Sequence, residues 1–516
     1  MDDKERKKKE LVNYYLNKNI LINPEIFQQG IDLSSLKELS DSDSLLLLNT
    51  QEHQQHRKTA HQKNIAIHLA DLEDIPLPPE KLQEQPPYTL SLLPDIPSQR
   101  DPAVKVIFSY TKKIKTINVQ DFVAYFSHRF HALKRMLQAR PELQNSVSIN
   151  RLIAKRDKEQ VAAIGMVKSK ETSKSGGISM HIEDQTGSIK VFVNKNNKQA
   201  FDIARDTVLD QVIGVVGVSG NNILFANTLF EPDIPLNREQ KKAPEEVYAL
   251  FLSDLHIGSK LFLHDKFDKF LSWINGETDK HQELIQKIKY IFVAGDIVDG
   301  CSIYPGQERE LEILDIYEQY KECANLLSRI PPHINIILSP GNHDAMRISE
   351  PQPELQKDFA EPLWNLKNVT MVSNPGMVTI EASRTFPGFD VLLYHGYSFD
   401  YYIANVESIR NSGGYDRPDL IMKFLLKKRH LAPTHTSTLY IPDPEKDSLV
   451  IEKIPDIFAT GHLHKVSASH YHYITLVCGS CWQDKTPFQE KLGHNPEPGR
   501  IPLLNLQTRE MRILRF

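Results

Sequence analysis

Five polar motifs, each directly after a short apolar run, constrain this chain more than any other feature. In order they are SDLHIGS (253–259), AGDIVDG (294–300), PGNHD (340–344), YHGY (394–397) and TGHLH (460–464). The runs before them, at 247–252, 290–293, 334–338, 391–394 and 457–460, read as strands, and helix-like stretches fall at 265–288, 308–329 and 354–366. That alternation predicts an α/β layered domain. In open α/β sheets, ligands bind beyond the carboxyl ends of strands. The five motifs are therefore expected to converge at one end of a sheet or of paired sheets. Single Asp, His and Asn residues recur by chance; five such motifs in strand-end positions do not.

Seven side chains in these motifs are candidate metal ligands: Asp254, His256, Asp296, Asn342, His395, His462 and His464. A mixed Asp and His set suits Mn²⁺, Fe²⁺ or Zn²⁺ better than Ca²⁺. Holding two cations about 3.5–4 Å apart needs a bridging carboxylate to offset their repulsion, and Asp296 is the candidate. Two divalent ions against Asp254 and Asp296 leave a charge of about +2, suited to a phosphodiester and a water readied for attack. His343, next to Asn342, is the candidate catalytic group, to donate a proton to the leaving oxygen or to stabilise the developing charge. Asp299, three residues after Asp296, is expected to orient His343.

The 516 residues suggest three or four domains. Residues 1–50 read as short helices, with Leu11, Tyr14 and Tyr15 at helical spacing and the run 45–48 as a further helix. Residues 51–100, rich in Gln, His and Pro, read as a linker, and their histidines (53, 56, 61, 68) as solvated. Val104, Val106 and Phe108 alternate like a strand, and 120–139 has the apolar spacing of an amphipathic helix. Residues 151–230 hold five short strands with glycine punctuation, which predicts a small barrel of the OB type. Its strands carry Phe192 and Phe225, so direct strand binding and subunit docking stay open alternatives for it. A second linker follows at 231–245. The expected domains are 1–50 (helical), 51–100 (linker), 101–235 (OB-fold with a leading strand and helix) and 246–516 (the α/β domain). A net charge of −4 excludes global charge as a mark of nucleic-acid binding. Four cysteines, no apolar run near the roughly 18 residues of a membrane span and no secretion signal point to the cytoplasm.

The motif set resembles the calcineurin-like metallophosphoesterase superfamily. The resemblance implies a two-sheet α/β sandwich, a first metal on Asp254, His256, Asp296 and His464, a second on Asp296, Asn342, His395 and His462, and His343 as catalytic histidine. A longer likeness covers about 104 to 516. AGDIVDGCSIYPGQERELEILDIYEQY, SPGNHDAMRISEPQP, KKRHLAPTHTSTLYIPDPEKDSLVIEKIPDIFATGHLHK and VIFSYTKKIKTINVQDFVAYFSHRFHALKRML are similar to the small subunit of archaeal family D DNA polymerase. That family joins an OB domain to a phosphoesterase domain. It implies a 3′→5′ proofreading exonuclease with two divalent ions, Mn²⁺ expected and Fe²⁺, Zn²⁺ or Mg²⁺ as alternatives. It also implies the large polymerase subunit and single-stranded 3′ DNA ends as partners, with a sliding clamp as a further candidate and no membrane. A non-catalytic polymerase B-subunit is the runner-up, disfavoured because all seven ligand positions are filled.

The remaining chemistry-bearing residues have plainer readings. Cys478 and Cys481 are expected as small buried side chains rather than half a zinc site. Core packing is the expected role of Trp482 and Phe488 over stacking on a base. His430 and His435 lie outside the motifs, and Arg347 and His264 are expected in surface salt bridges rather than on phosphate.

Overall fold

The computed structural model describes residues 20–22, 46–48, 103–111, 116–154, 158–278, 281–491 and 493–516, with the backbone alone at 20–22, 46–48 and 488. The chain divides into two compact units, Met1–Ile67 and His68–Phe516. In the first, β1 (Ile20–Ile22) pairs in parallel with β2 (Leu46–Leu48). This corrects the helix expected over 45–48: an unbroken run of four leucines has no period and does not separate a strand from a helix. The rest of the expected helical region and the histidine-bearing linker lie outside the described residues.

In the second unit, β4 (Gln160–Thr172), β5 (Ile178–Asp184), β6 (Gly187–Val193), β7 (Val212–Ser219) and β8 (Ile223–Phe230) form a closed barrel in the order β4-β5-β6-β8-β7. Side chains alternate across a strand, so Met180 and Ile182 of β5, Val191 and Val193 of β6 and Leu224 of β8 fill the interior. The predicted hairpin is β5–β6; Asp184 Oδ1 accepts the backbone N–H of Thr186 (2.8 Å) and Gly187 (3.2 Å) at its turn.

Two six-stranded sheets make up the rest. In one, β9 (Tyr248–Leu252), β10 (Ile288–Ala294), β11 (Asn335–Ser339) and β12 (Val369–Met371) run parallel, and β18 (Arg500–Asn505) and β19 (Met511–Arg515) extend it antiparallel beside β9. In the other, the order is β16 (Ser467–Tyr471), β17 (Ile474–Cys478), β15 (Ile457–Thr460), β14 (Phe389–Leu393), β13 (Gly376–Ile380) and β3 (Val104–Ser109). Phe251, Phe292 and Ile337 of the first sheet pack on Val378, Val391, Ile457 and Val477 of the second. The outer face of the first is covered by helices His264–Ile274 and Ile316–Ser328, that of the second by Phe399–Asn405 and Pro418–Lys428. Strands buried on both faces read as continuous apolar runs, which is why the central ones were legible.

Strand β3 departs from its expected place. It pairs antiparallel with β13 at the edge of the second sheet rather than with the barrel. Alternation identifies a half-buried strand but not its partner, here more than 260 residues away in sequence. The predicted helix 265–288 ends at Ile274, and a second short helix, Gln282–Ile285, precedes β10. Gly276 at φ 73° supplies the left-handed residue that stops the first. The helix expected from 308 starts at Ile316, because Asp315 caps it by accepting from Tyr317 N and Glu318 N. The helix Val119–Gln138, capped by Asn118 and Asp121, buries Tyr125, Phe126 and Phe130 in a core shared with Met166 of the barrel and Tyr402 and Leu425 of the sandwich. No helix among the described residues is long and apolar enough to cross a membrane.

Candidate metal centre

The motifs follow the carboxyl ends of β9, β10 and β11 in one sheet and β14 and β15 in the other, and their side chains meet in the cleft where the two sheets' ends adjoin. Asp254, His256 and His464 bring donor atoms within 4.8 Å of one another, as do Asp254, Asp296 and His395, and His256, Asp296 and His343. Asn342 Oδ1 lies 2.9 Å from His395 Nε2. Six of the seven expected ligands therefore face one small volume. The seventh, His462, donates its backbone N–H to Asp254 (3.0 and 3.1 Å), while its ring Nε2 meets Asp400 Oδ2 at 2.8 Å. It belongs to none of the three donor groups, although its ring centroid is 5.2 Å from that of His395.

The backbone shows how tightly these side chains are held. Asp254, His256, Asp296, His462 and His464 all have φ between 49° and 70°. Non-glycine residues rarely enter this left-handed region, which costs about 1–3 kcal/mol each where the surroundings enforce it. Two glycines allow the close approach. A Cβ on Gly295 (φ 84°) would lie 2.3 Å from His395 Nδ1, and one on Gly341 would lie 2.2 Å from Asp296 Oδ1.

The ring nitrogens define what the cluster can bind. His395 Nδ1 is 2.9 Å from the Ala294 carbonyl, His256 Nδ1 is 3.0 Å from Asp299 Oδ1, and His343 Nδ1 is 2.8 Å from the Asp299 carbonyl. Each of these Nδ1 atoms must donate, so in the neutral rings each Nε2 carries a lone pair. Two of those lone pairs face a carboxylate: His395 Nε2 is 3.3 Å and His256 Nε2 is 3.8 Å from Asp296 Oδ2. His256 Nε2 is also 3.1 Å from His464 Nε2, which carries the proton in the neutral ring because Gln489 Nε2 donates to His464 Nδ1 at 3.0 Å. Converging acceptors, buried and held from behind, fit divalent cations. Protons can meet the same need. Burial lowers His395, but Asp296 overrides it and pushes the imidazole up to about 10. Burial raises Asp254 and Asp296, yet the imidazoles of His464 and His395 respectively hold these carboxylates below their ordinary range. For His343, burial is the largest influence and the imidazole is lowered.

Asp299 departs in part from its expected role. Its carboxylate serves His256, fixed by Gln483 Nε2 (2.9 Å) and Gln307 Nε2 (3.1 Å), and only its backbone carbonyl meets His343. The sequence offset gave proximity but not which atom points where. Asp400, Gln483 and Gln489, which meet His462, Asp299 and His464, were not legible because they sit outside the motifs. Asp344 was missed as well. It accepts from Gly341 N (2.8 Å) and Tyr320 Oη (3.2 Å), clamping the loop that carries Asn342 and His343. A cavity of about 210 Å³ opens over the cluster, walled by Tyr304, Tyr415 and His494 among others.

Trp482 is buried against Phe267 and Phe270, as expected. The Phe488 side chain lies outside the described residues. Cys478 and Cys481 are buried, and neither joins a group of metal-compatible donors among the described residues. His430 is fully buried on Asp447, and His435 stacks on Tyr440. Arg347 donates to the Pro351 carbonyl and forms no salt bridge among the described residues, whereas His264 meets Glu312.

Glu350, buried behind the cluster, accepts from the Tyr394 hydroxyl at 3.1 Å. Burial pushes its carboxyl up to about 7 from an ordinary 4.5. Its folded form prefers the proton, so its contribution to stability is full below pH 4.5 and lost as pH rises through 7. Glu350→Gln is expected to remove that slope, gaining about 2–3 kcal/mol on the wild type between pH 4.5 and 8 in urea titrations. Parallel pH profiles for the two proteins would contradict this.

Comparison with known proteins gives the class first. Residues 249–468 match the family model of the B-subunit of "DNA polymerase alpha/epsilon". The "DNA polymerase II small subunit" of Pyrococcus horikoshii is 39% identical over 461 residues, covering 85% of this chain and 72% of that protein. That of Methanothermobacter thermautotrophicus is 38% identical over 424 residues, 82% of this chain and 84% of the other. The Pyrococcus furiosus protein is 40% identical over 410 residues, of which this chain spans 64% of the length. The chain belongs to the archaeal DNA polymerase II small-subunit family.

Proposed function

We propose that the cleft is a two-metal phosphodiesterase centre that removes mispaired nucleotides from 3′ DNA ends for a polymerase. The observation that supports this reading is the set of imidazole nitrogens and carboxylates from five strand ends that converge on one small volume. On this reading the sandwich is a calcineurin-like metallophosphoesterase domain over about 246–516, and the barrel is an OB-fold within 101–235. The family's name brings in DNA and a large catalytic polymerase chain as partners.

Asp254, His256, Asp296 and His464 would hold one ion, and Asp296, Asn342, His395 and His462 the other, Mn²⁺ being the first choice. Bound ions supply positive charge that lowers the pKa of a water and stabilises charge on the reacting phosphate. The chain's own residues do the rest. The Asp299 carbonyl holds His343 by Nδ1, leaving Nε2 free toward the cavity. Burial keeps the resting ring neutral; a phosphodiester beside it favours the charged form. The resulting Nε2–H can protonate the leaving 3′ oxygen. A frayed, mispaired end reaches so small a cavity more easily than a paired one.

The test uses the chain with its large partner, Mn²⁺ and a 3′-mismatched duplex. His343→Ala is expected to slow digestion by about 10²–10⁴-fold with metal uptake unchanged. Digestion at the wild-type rate would refute the role of His343, and no digestion by the wild type would refute the activity.

A further inference from the structure

The outer face of the barrel carries features that the metal centre does not use. Along β6 and β8, Ile189, Val191, Val193, Leu224 and Ala226 turn inward. Lys190, Phe192 and Phe225, at the alternate positions, turn outward. Phe192 and Phe225 are direct partners in the parallel β6–β8 ladder, with ring centroids 6.3 Å apart at 75°. Phe225 is 47% exposed. Each ring rests against a glycine of a flanking loop: a Cβ on Gly177 would lie 2.7 Å from Phe192 Cζ, and one on Gly220 would lie 3.0 Å from Phe225 Cε2. The rings are thus seated in place rather than left to swing.

Charge surrounds this pair. Lys190 stands two residues before Phe192 on β6, Lys195 reaches over Gly176, and Lys174 lies in the same loop as Gly176. None of the three forms an ion pair among the described residues. Other lysines of β4 are committed: Lys168 to Glu183 at 3.6 Å, and Lys170 to the carbonyls of Arg205 (2.7 Å) and Thr207 (2.6 Å). Glu171 lies two strands from Phe192, across Ser179.

We propose that this face binds single-stranded nucleic acid, its bases stacking on Phe192 and Phe225 and its phosphates meeting Lys174, Lys190 and Lys195. Aromatic rings accept any base because every base has a π face, and free lysines meet the backbone without reading sequence. An acidic peptide would satisfy the lysines but offers the rings nothing flat to stack on. The inference rests on the proposed function only in taking the polymer to be DNA.

The experiment is fluorescence anisotropy of a labelled 15-residue oligothymidylate with the full chain in chelator, where no digestion occurs. Failure here therefore leaves the nuclease reading intact, and failure to digest leaves this one intact. Phe192→Ala/Phe225→Ala is expected to raise Kd about tenfold or more, and Phe225→Leu, which keeps the apolar bulk but not the flat ring, to raise it several-fold. The variant Lys174→Gln/Lys190→Gln/Lys195→Gln should flatten the slope of log Kd against log salt by about 2, at roughly 0.7 per phosphate contact on a single strand. Wild-type affinity and salt slope in these variants would overturn the proposal. So would variants that keep oligonucleotide affinity but lose the large polymerase chain on purification, which would assign the face to a protein.

Discussion

Asp296→Asn is expected to lower mismatch digestion by about a thousandfold or more and to leave the chain able to take up at most one Mn²⁺. Asp296 Oδ2 is the carboxylate oxygen that both His395 (3.3 Å) and His256 (3.8 Å) approach, so it stands between the two donor groups. Its Oδ1 is held by the backbone N–H of His343 at 2.8 Å. Asparagine preserves the shape and can keep the hydrogen bond to His343. It then turns an amide N–H₂ toward the imidazoles where an anion had been. The loss of one negative charge from a site with two carboxylates leaves the repulsion between two cations largely uncompensated. Isothermal titration with Mn²⁺ and a digestion assay read the two consequences separately. Two ions bound by the variant, or digestion within tenfold of wild type, would remove Asp296 from the bridging role.

The second large effect concerns the fold. Arg129, on the helix before the barrel, is fully buried; its Nε donates to Asp447 at 2.6 Å and its Nη1 to the Pro433 carbonyl at 2.7 Å. The rings of Tyr125, Phe126 and Tyr440 surround the guanidinium. Asp447 also takes His430 Nε2 at 2.8 Å. Burial raises Asp447, but Arg129 and then His430 hold its carboxyl well below the usual range. Removing one partner of a buried pair strands the other charge. Arg129→Ala is therefore expected to cost about 3–5 kcal/mol in urea unfolding. Replacing both members with apolar residues, Arg129→Met with Asp447→Leu, removes the stranded charge but leaves His430 Nε2 and the Leu449 N–H without their acceptor, so it should recover only part of that loss. A loss below about 1 kcal/mol in the single variant would mean that the pair does not tie the helix to the sandwich.

The legible parts of this chain were those with a period or a motif. The central strands β9, β10, β11, β14 and β15 are apolar runs closed by ligand motifs, and the barrel strands are marked by glycine and by alternation. Six of the seven candidate ligands and His343 lie together because the ends of parallel strands bring them together. What could not be read depends on partners chosen in three dimensions. The sequence of strand β3 alternates as a half-buried strand's would, although Val106 stays exposed, and nothing in it names β13. Edge strands such as β12 and β16 are short and partly polar. Asp400 lies in a segment of tyrosines with no motif of its own, yet it sets the orientation of His462. Asp299 lies beside the centre, but the rotamer that sends its carboxylate to His256 is fixed by Gln307, eight residues on, and by Gln483, far along the chain.

The most direct test of the central claim is a crystal structure with Mn²⁺ located by its anomalous scattering. Two ions about 3.5–4 Å apart are expected, one by Asp254, His256 and His464, the other by Asn342 and His395, with Asp296 between them. One ion alone, or a pair bound away from Asp296, would contradict the account.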